Sequence, residues 1–189
     1  MSQLDHRSAE EIATGGMTGG DRMSVHGYAQ HYARALRPLL AADGTSGPVL
    51  CEVGILRGTG LAVWCDLFPK GRIVGLDIDL SHAKDNIPWL KSRGAFKQIE
   101  PELHLFDQLM PDEQLLHQLF CRARVSICID DGLHSNDAIL QTFTAMKKYL
   151  SKDFIYFIED SITAKDLISN AFPSLKATSF EQLTIITPK

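Results

Sequence analysis

The chain lacks any apolar run near the roughly 18 to 20 residues that a membrane-spanning helix needs. Its opening, MSQLDHRSAEEIATGG, has no apolar stretch of the kind a secretory leader carries. Basic charge is neither abundant nor gathered: 19 Lys and Arg stand against 23 Asp and Glu, for a formal net charge of -4. Pairs such as Arg122/Arg124 and Lys147/Lys148 form no stripe, which argues against nucleic acid or an anionic membrane as partner. The four cysteines (Cys51, Cys65, Cys121, Cys128) have no CxxC spacing. They read as reduced thiols of a cytoplasmic protein, three of them in apolar strand or helix contexts, with no zinc or disulfide role. Phosphate-binding signatures are missing too, because there is no G-K-[ST] and the glycines do not fall as G-x-G-x-x-G.

The organising stretch is Pro48 to Asp79, PVLCEVGILRGTGLAVWCDLFPKGRIVGLDID. Val49 to Val53 is a continuous apolar run interrupted only by Glu52, the pattern of a parallel strand covered on both faces. A turn bearing Gly54, Gly58 and Gly60 follows, then a helix burying Leu61, Trp64, Cys65 and Phe68 and stopped by Pro69-Lys70-Gly71. Strand two is Arg72 to Asp77. Glycines after a strand, a helix N-terminus beyond them and an acid ending the next strand describe a pocket for a nucleoside-containing cofactor.

Alternation continues along the chain. A weaker helical segment, Ser81 to Arg93, is interrupted by Pro88, and strand three runs from Glu102 to Phe106. Pro111 to Cys121 is a helix with Leu115, Leu116, Leu119 and Phe120 inward, before strand four, Val125 to Ile129. A helix from about Ser135 to Leu150 carries Ile139, Phe143, Met146 and Leu150 at helical spacing. Strand five is Phe154 to Ile158, followed by a short helix, Ala164 to Ala171. Two closing strands, Leu175 to Phe180 and Leu183 to Thr187, are joined too tightly for a crossover and must be antiparallel. The fold class is therefore α/β: a Rossmann-like, doubly wound, mostly parallel seven-stranded sheet with an antiparallel last strand. Residues 1–22, ending near TGGMTGG, form a flexible segment by composition, and residues 23–189 one domain. Within it, residues 23–42 form a helix capped by Ser24 and crowded with His26, Tyr28, His31 and Tyr32. That helix either packs its tyrosines on the sheet or covers the pocket mouth.

Five successive strands deliver polar or acidic residues at their carboxyl ends: Glu52, Asp77, Asp107, Asp130/Asp131 and Glu159/Asp160. Ligands of open α/β sheets bind there. Glu52 would sit beside a cationic ligand, Asp77 would take ribose hydroxyls, and Asp107 would contact the base. In IDDGLH (129–134) and FIED (157–160), Asp131, Glu159 and Asp160 converge if strands four and five are neighbours. Three such carboxylates repel unless a cation neutralises them, and an all-oxygen set suits Mg²⁺ or a similar divalent ion. His134 is placed to take a proton at the same spot. The alternative is that His134 and Ser135 merely cap a helix and the acids are solvated.

Taken together, EVGILRGTGLAVWCDLFPKGRIVGLDID, FDQ (106–108), IDDGLH and FIED resemble the class I S-adenosylmethionine-dependent methyltransferases. More narrowly they resemble the metal-dependent sugar O-methyltransferases of macrolide biosynthesis, and DRMSVHGYAQHY is similar to that family's covering helix. The resemblance implies S-adenosyl-L-methionine and Mg²⁺ as cofactors, with Asp131, Glu159 and Asp160 as metal ligands and His134 as catalytic base. It places cofactor contacts on Glu52, Gly54, Gly58, Asp77, Asp107 and Asp130, and more loosely on Tyr28 and Tyr32. The partner implied is a small-molecule hydroxyl acceptor, a sugar or a catechol-like phenol, with neither nucleic acid nor membrane and with a homo-oligomer compatible. Outside the resemblance stand a nicotinamide-dependent oxidoreductase, a non-haem iron oxygenase and a non-catalytic cofactor-binding module.

Overall fold

The structure is a computed structural model that describes residue 22, residues 26–40 and residues 47–189. Helix α1 (Ala29–Leu40) precedes β1 (Val49–Val53), α2 (Thr59–Leu67), β2 (Arg72–Asp77), α3 (Ser81–Ser92) and β3 (Glu102–Leu105). Then come α4 (Glu113–Phe120), β4 (Val125–Asp130), α5 (Asn136–Lys147) and β5 (Leu150–Ile158). Helix α6 (Ala164–Ala171) leads into the closing pair β6 (Leu175–Phe180) and β7 (Leu183–Pro188).

The strands form one sheet in the order β3-β2-β1-β4-β5-β7-β6. All neighbours from β3 to β5 are parallel, and β7 is antiparallel to both β5 and β6. The seven-stranded, doubly wound arrangement expected from the apolar runs is the one observed. Successive β1 residues point to opposite faces: Leu50 joins a core with Tyr32, Leu61, Trp64 and Leu90, while Cys51 and Val53 join one with Phe120, Ile139, Phe143 and Ile168. Each such fully buried side chain contributes roughly 1.5–3 kcal/mol, so helices on both faces hold the strand ends in register. The strand order reverses between β1 and β4, where this class of sheet opens its crevice.

Several boundaries differ from the sequence reading, each for a physical reason. Helix α1 begins at Ala29 because Gly27, at φ 68°, breaks the path before it; His26 and Tyr28 lie in that turn. Ser24, proposed as its cap, and the TGGMTGG segment lie outside the described residues. Helix α3 runs unbroken through Pro88. Lys84 and Pro88 are both exposed, so the carbonyl that loses its partner can be solvated. Leu150 belongs to β5, not α5: the helix closes with Tyr149 N–H on the Met146 carbonyl, and Leu150 pairs with Val125. Leu150 keeps helical spacing from Met146, so periodicity did not separate the two. The cysteines are free, with Cys51, Cys65 and Cys128 buried and Cys121 exposed. Among the described residues no helix is long and apolar enough to cross a membrane.

Candidate active site

The glycine turn after β1 is built on Asp77. Its Oδ2 accepts the backbone N–H groups of Ile55 (2.8 Å) and Leu56 (2.9 Å), and its Oδ1 accepts from Asp79 N at 3.1 Å. The residue expected to take ribose hydroxyls therefore also folds the loop; a carboxylate offers about four acceptor positions, which leaves capacity for both. Gly58 stands at φ 73° ahead of α2. The nearest side-chain atom to a Cβ built there is 3.8 Å away, so glycine is required by the backbone and not by crowding. Asp107 accepts from Leu109 N at 2.8 Å. Around these acids Ile78, Leu105, Leu109 and Met110 stay exposed, an apolar row along the ends of β2 and β3.

Asp130 lies deeper. It is 2% exposed; its Oδ1 accepts from Gln108 Nε2 at 2.7 Å, and its Oδ2 faces the Tyr156 hydroxyl at 3.4 Å. Burial lifts its pKa to about 7, with the Gln108 donor opposing. Gln108 Nε2 also donates to Thr142 Oγ1 (2.9 Å), and its Oε1 accepts from Leu133 N at 2.5 Å. Asp130 is thus turned inward, onto a buried network that supports the 131–134 loop. A Cβ on Gly132 would stand 2.1 Å from Gln108 Oε1, so a larger residue there would push the Gln108 amide out of its place.

Beyond β4 and β5 the acids divide. Asp131, His134 and Asp160 each present a ligand atom, all within 4.8 Å of one another. His134 Nε2 lies 3.6 Å from Asp131 Oδ1, and the Asp131 carboxylate, facing the ring as an acceptor, raises the imidazole pKa above its ordinary value. Asp160 is held at φ 53°, a left-handed conformation that an Asp tolerates better than most residues, and accepts the Tyr28 hydroxyl at 2.7 Å. Its Oδ1 is 3.7 Å from His26 Nδ1. Glu159, expected beside them, points elsewhere: its Oε1 accepts the buried Tyr32 hydroxyl and lies 2.6 Å from Arg22 Nε.

Arg22 gathers the rest. Its Nη2 is 2.6 Å from Glu52 Oε1 and 2.8 Å from Asp131 Oδ2. The guanidinium is 8% exposed and lies over the Trp64 ring, 5.4 Å from its centroid. Burial raises the pKa of both Glu52 and Glu159, with Arg22 pulling the other way. Glu52 was expected beside a cationic ligand; the cation it meets is Arg22. Tyr32, fully buried, stacks on Phe157 with ring centroids 4.1 Å apart, so α1 both packs on the sheet and supplies Glu159 with a donor.

No family model matches the chain. Over 148 residues, 74% of this chain, it is 30% identical to L-olivosyl-oleandolide 3-O-methyltransferase of Streptomyces antibioticus, covering 34% of that protein. It is 28% identical over 148 residues, again 74% of this chain, to mycinamicin VI 2''-O-methyltransferase of Micromonospora griseorubida, covering 33% of it. The chain thus spans about a third of the length of these curated relatives. Among solved structures, an O-methyltransferase from Bacillus cereus in complex with SAH aligns at TM-score 0.66 and 14% identity, over 100% of this chain and 91% of that one. The fold is that of the class I methyltransferases. MycE, a methyltransferase of the mycinamycin pathway in complex with Mg, SAH and mycinamycin VI, has the same TM-score, 0.66, at 22% identity, covering 87% of this chain and 50% of its own.

Within this methyltransferase fold, two site residues escaped sequence reasoning. Arg22 falls inside DRMSVHGYAQHY, the segment similar to a covering helix, but that likeness assigns it no role. Gln108 follows the strand-end Asp107 directly in FDQ, and its place was the available clue: an amide one step past a strand-end acid lies close enough to serve the next strand's loop.

Proposed function

We propose that the protein transfers a methyl group from S-adenosylmethionine to a hydroxyl of a small molecule bearing adjacent oxygens, a sugar foremost, with a divalent cation assisting. The observation that supports this most directly is the meeting of Asp131, His134 and Asp160 beside the crevice between β1 and β4. Two carboxylate oxygens and an imidazole within one small space fit a divalent cation, and the carboxylates suit a hard one such as Mg²⁺. When bound, such a cation supplies a Lewis acid that makes an alcohol proton easier to remove. Asp131 and Asp160 would hold it.

His134 is the base in this reading. Its Nε2 faces Asp131, which orients the ring, and its side chain is open enough for an acceptor to reach. The cofactor would lie along the glycine turn: Gly54 and Gly58 shape the backbone, Asp77 and Asp107 offer acceptors, and the apolar row of Ile78, Leu105 and Leu109 suits the flat face of a base. Asp130, Tyr28 and Tyr32 serve behind this surface, holding the 131–134 loop, Asp160 and Glu159 in place. Residues 23–189 would form the methyltransferase unit.

The relatives named for acting on macrolide sugars favour a sugar hydroxyl over a catechol. An oxidoreductase has no use for the acidic group. The test is calorimetric titration with S-adenosylhomocysteine, with and without Mg²⁺, followed by methyl-transfer assays on sugar and catechol acceptors. We expect S-adenosylhomocysteine to bind and Mg²⁺-dependent transfer to a hydroxyl; failure to bind S-adenosylhomocysteine would reject the reading outright.

A further inference from the structure

Arg22 touches carboxylates at the ends of three strands: Glu52 near the end of β1, Asp131 after β4 and Glu159 after β5. Asp131 is the shared member. Its Oδ2 accepts from Arg22 Nη2 at 2.8 Å, while its Oδ1 lies 3.6 Å from His134 Nε2, within the group that includes Asp160. A carboxylate held on one side by a planar guanidinium presents one oxygen, not two, on the other. Glu159 is drawn away altogether. Its side chain is 2% exposed, and the same Oε1 meets both Arg22 Nε and the Tyr32 hydroxyl.

We infer that Arg22 is a positioning residue that divides the carboxylates of this sheet edge. It keeps Glu52 and Glu159 for itself and leaves Asp131 Oδ1 and Asp160 as the carboxylate ligands for a divalent cation, with His134 beside them. The inference rests on the cation reading above, and it removes Glu159 from the ligands that the sequence pattern assigns. Its physical basis is charge pairing in a buried place. A carboxylate cut off from water holds whichever cation is fixed nearest, and for Glu159 that cation is a side chain of the same protein. Without Arg22, Glu159 would keep the Tyr32 hydroxyl but lose its cation near Asp131, free to turn to an added ion.

Mn²⁺ binding to the full chain, followed by electron paramagnetic resonance and calorimetry, tests this without reference to turnover. In the Arg22 protein, Glu159→Gln should keep Mn²⁺ affinity within about threefold, while Asp160→Asn should weaken it about tenfold or more. In an Arg22→Met background the same Glu159→Gln change should weaken Mn²⁺ about tenfold, a non-additivity that a merely structural Arg22 would not produce. Arg22→Lys, which keeps the charge but loses the planar fork, should fall between. If Glu159→Gln costs as much as Asp160→Asn while Arg22 is present, the inference is overturned and the cation reading stands. If the unmodified chain binds no Mn²⁺, both fall. Should Arg22→Met fail to fold, the comparison of Glu159→Gln with Asp160→Asn decides by itself.

Discussion

The carbonyl oxygen of Asp131 lies 2.1 Å from where a Cβ on Gly54 would stand. The two residues directly follow neighbouring parallel strands, and Asp131 N–H donates to the Val53 carbonyl at 2.8 Å, which draws the end of β4 against the glycine turn. The close approach that requires a glycine here is therefore backbone on backbone.

Gly54→Ala meets both this contact and a backbone at φ 81°. It should cost about 3 kcal/mol or more and displace Asp131. Gly58→Ala meets only the left-handed conformation, with space around it, and should cost about 1 to 2 kcal/mol. Urea unfolding of the two variants separates the effects; equal losses would show that crowding at Gly54 does not matter.

Asp130 makes stability depend on pH. Its folded-state pKa of about 7 stands above the ordinary 3.8, so the folded protein holds this proton more tightly than the unfolded chain. The stabilisation is complete below the unfolded value and is lost as pH rises through the folded one. Asp130→Asn removes that dependence while an acceptor oxygen remains for Gln108. Relative to the unmodified protein, the variant should gain about 2 to 3 kcal/mol between pH 5 and pH 8. Unfolding curves across this range giving a flat difference would show that the carboxyl is not desolvated as its burial implies.

His134→Ala should lower methyl transfer by about 10² to 10⁴ while leaving S-adenosylhomocysteine binding intact. Because the Asp131 carboxylate facing the ring raises the imidazole pKa, NMR titration of the cation-free protein should find His134 protonated to a higher pH than a free histidine. The base form then grows as pH rises. Unchanged turnover in the alanine variant would assign the proton transfer elsewhere.

Much of the fold was legible because its determinants are local. The apolar runs at Val49–Val53, Arg72–Asp77 and Val125–Asp130 are strands covered on both faces, and each carries its pattern within a few residues. The misreadings were local ambiguities as well. Leu150 keeps helical spacing from Met146 yet pairs with Val125, and Pro88 interrupts the pattern of α3 without interrupting the helix. The acids at the strand ends were equally visible, since each follows its strand directly.

Which acid meets which partner is another matter. Sequence alone determined that Glu52, Asp77, Asp107, Asp130, Asp131, Glu159 and Asp160 would collect at one edge of a parallel sheet, because strand direction puts every carboxyl end on the same side. Only the tertiary structure decided that Asp130 turns inward to Gln108, that Asp77 folds the glycine turn, and that Glu159 pairs with Tyr32, 127 positions away, and with Arg22. Those choices depend on strand order and on where Arg22 and Tyr32 meet the sheet. An ionic contact between residues more than 100 positions apart, such as Arg22 with Asp131, leaves no periodic trace in the chain, because it is selected by proximity and desolvation once the core has formed.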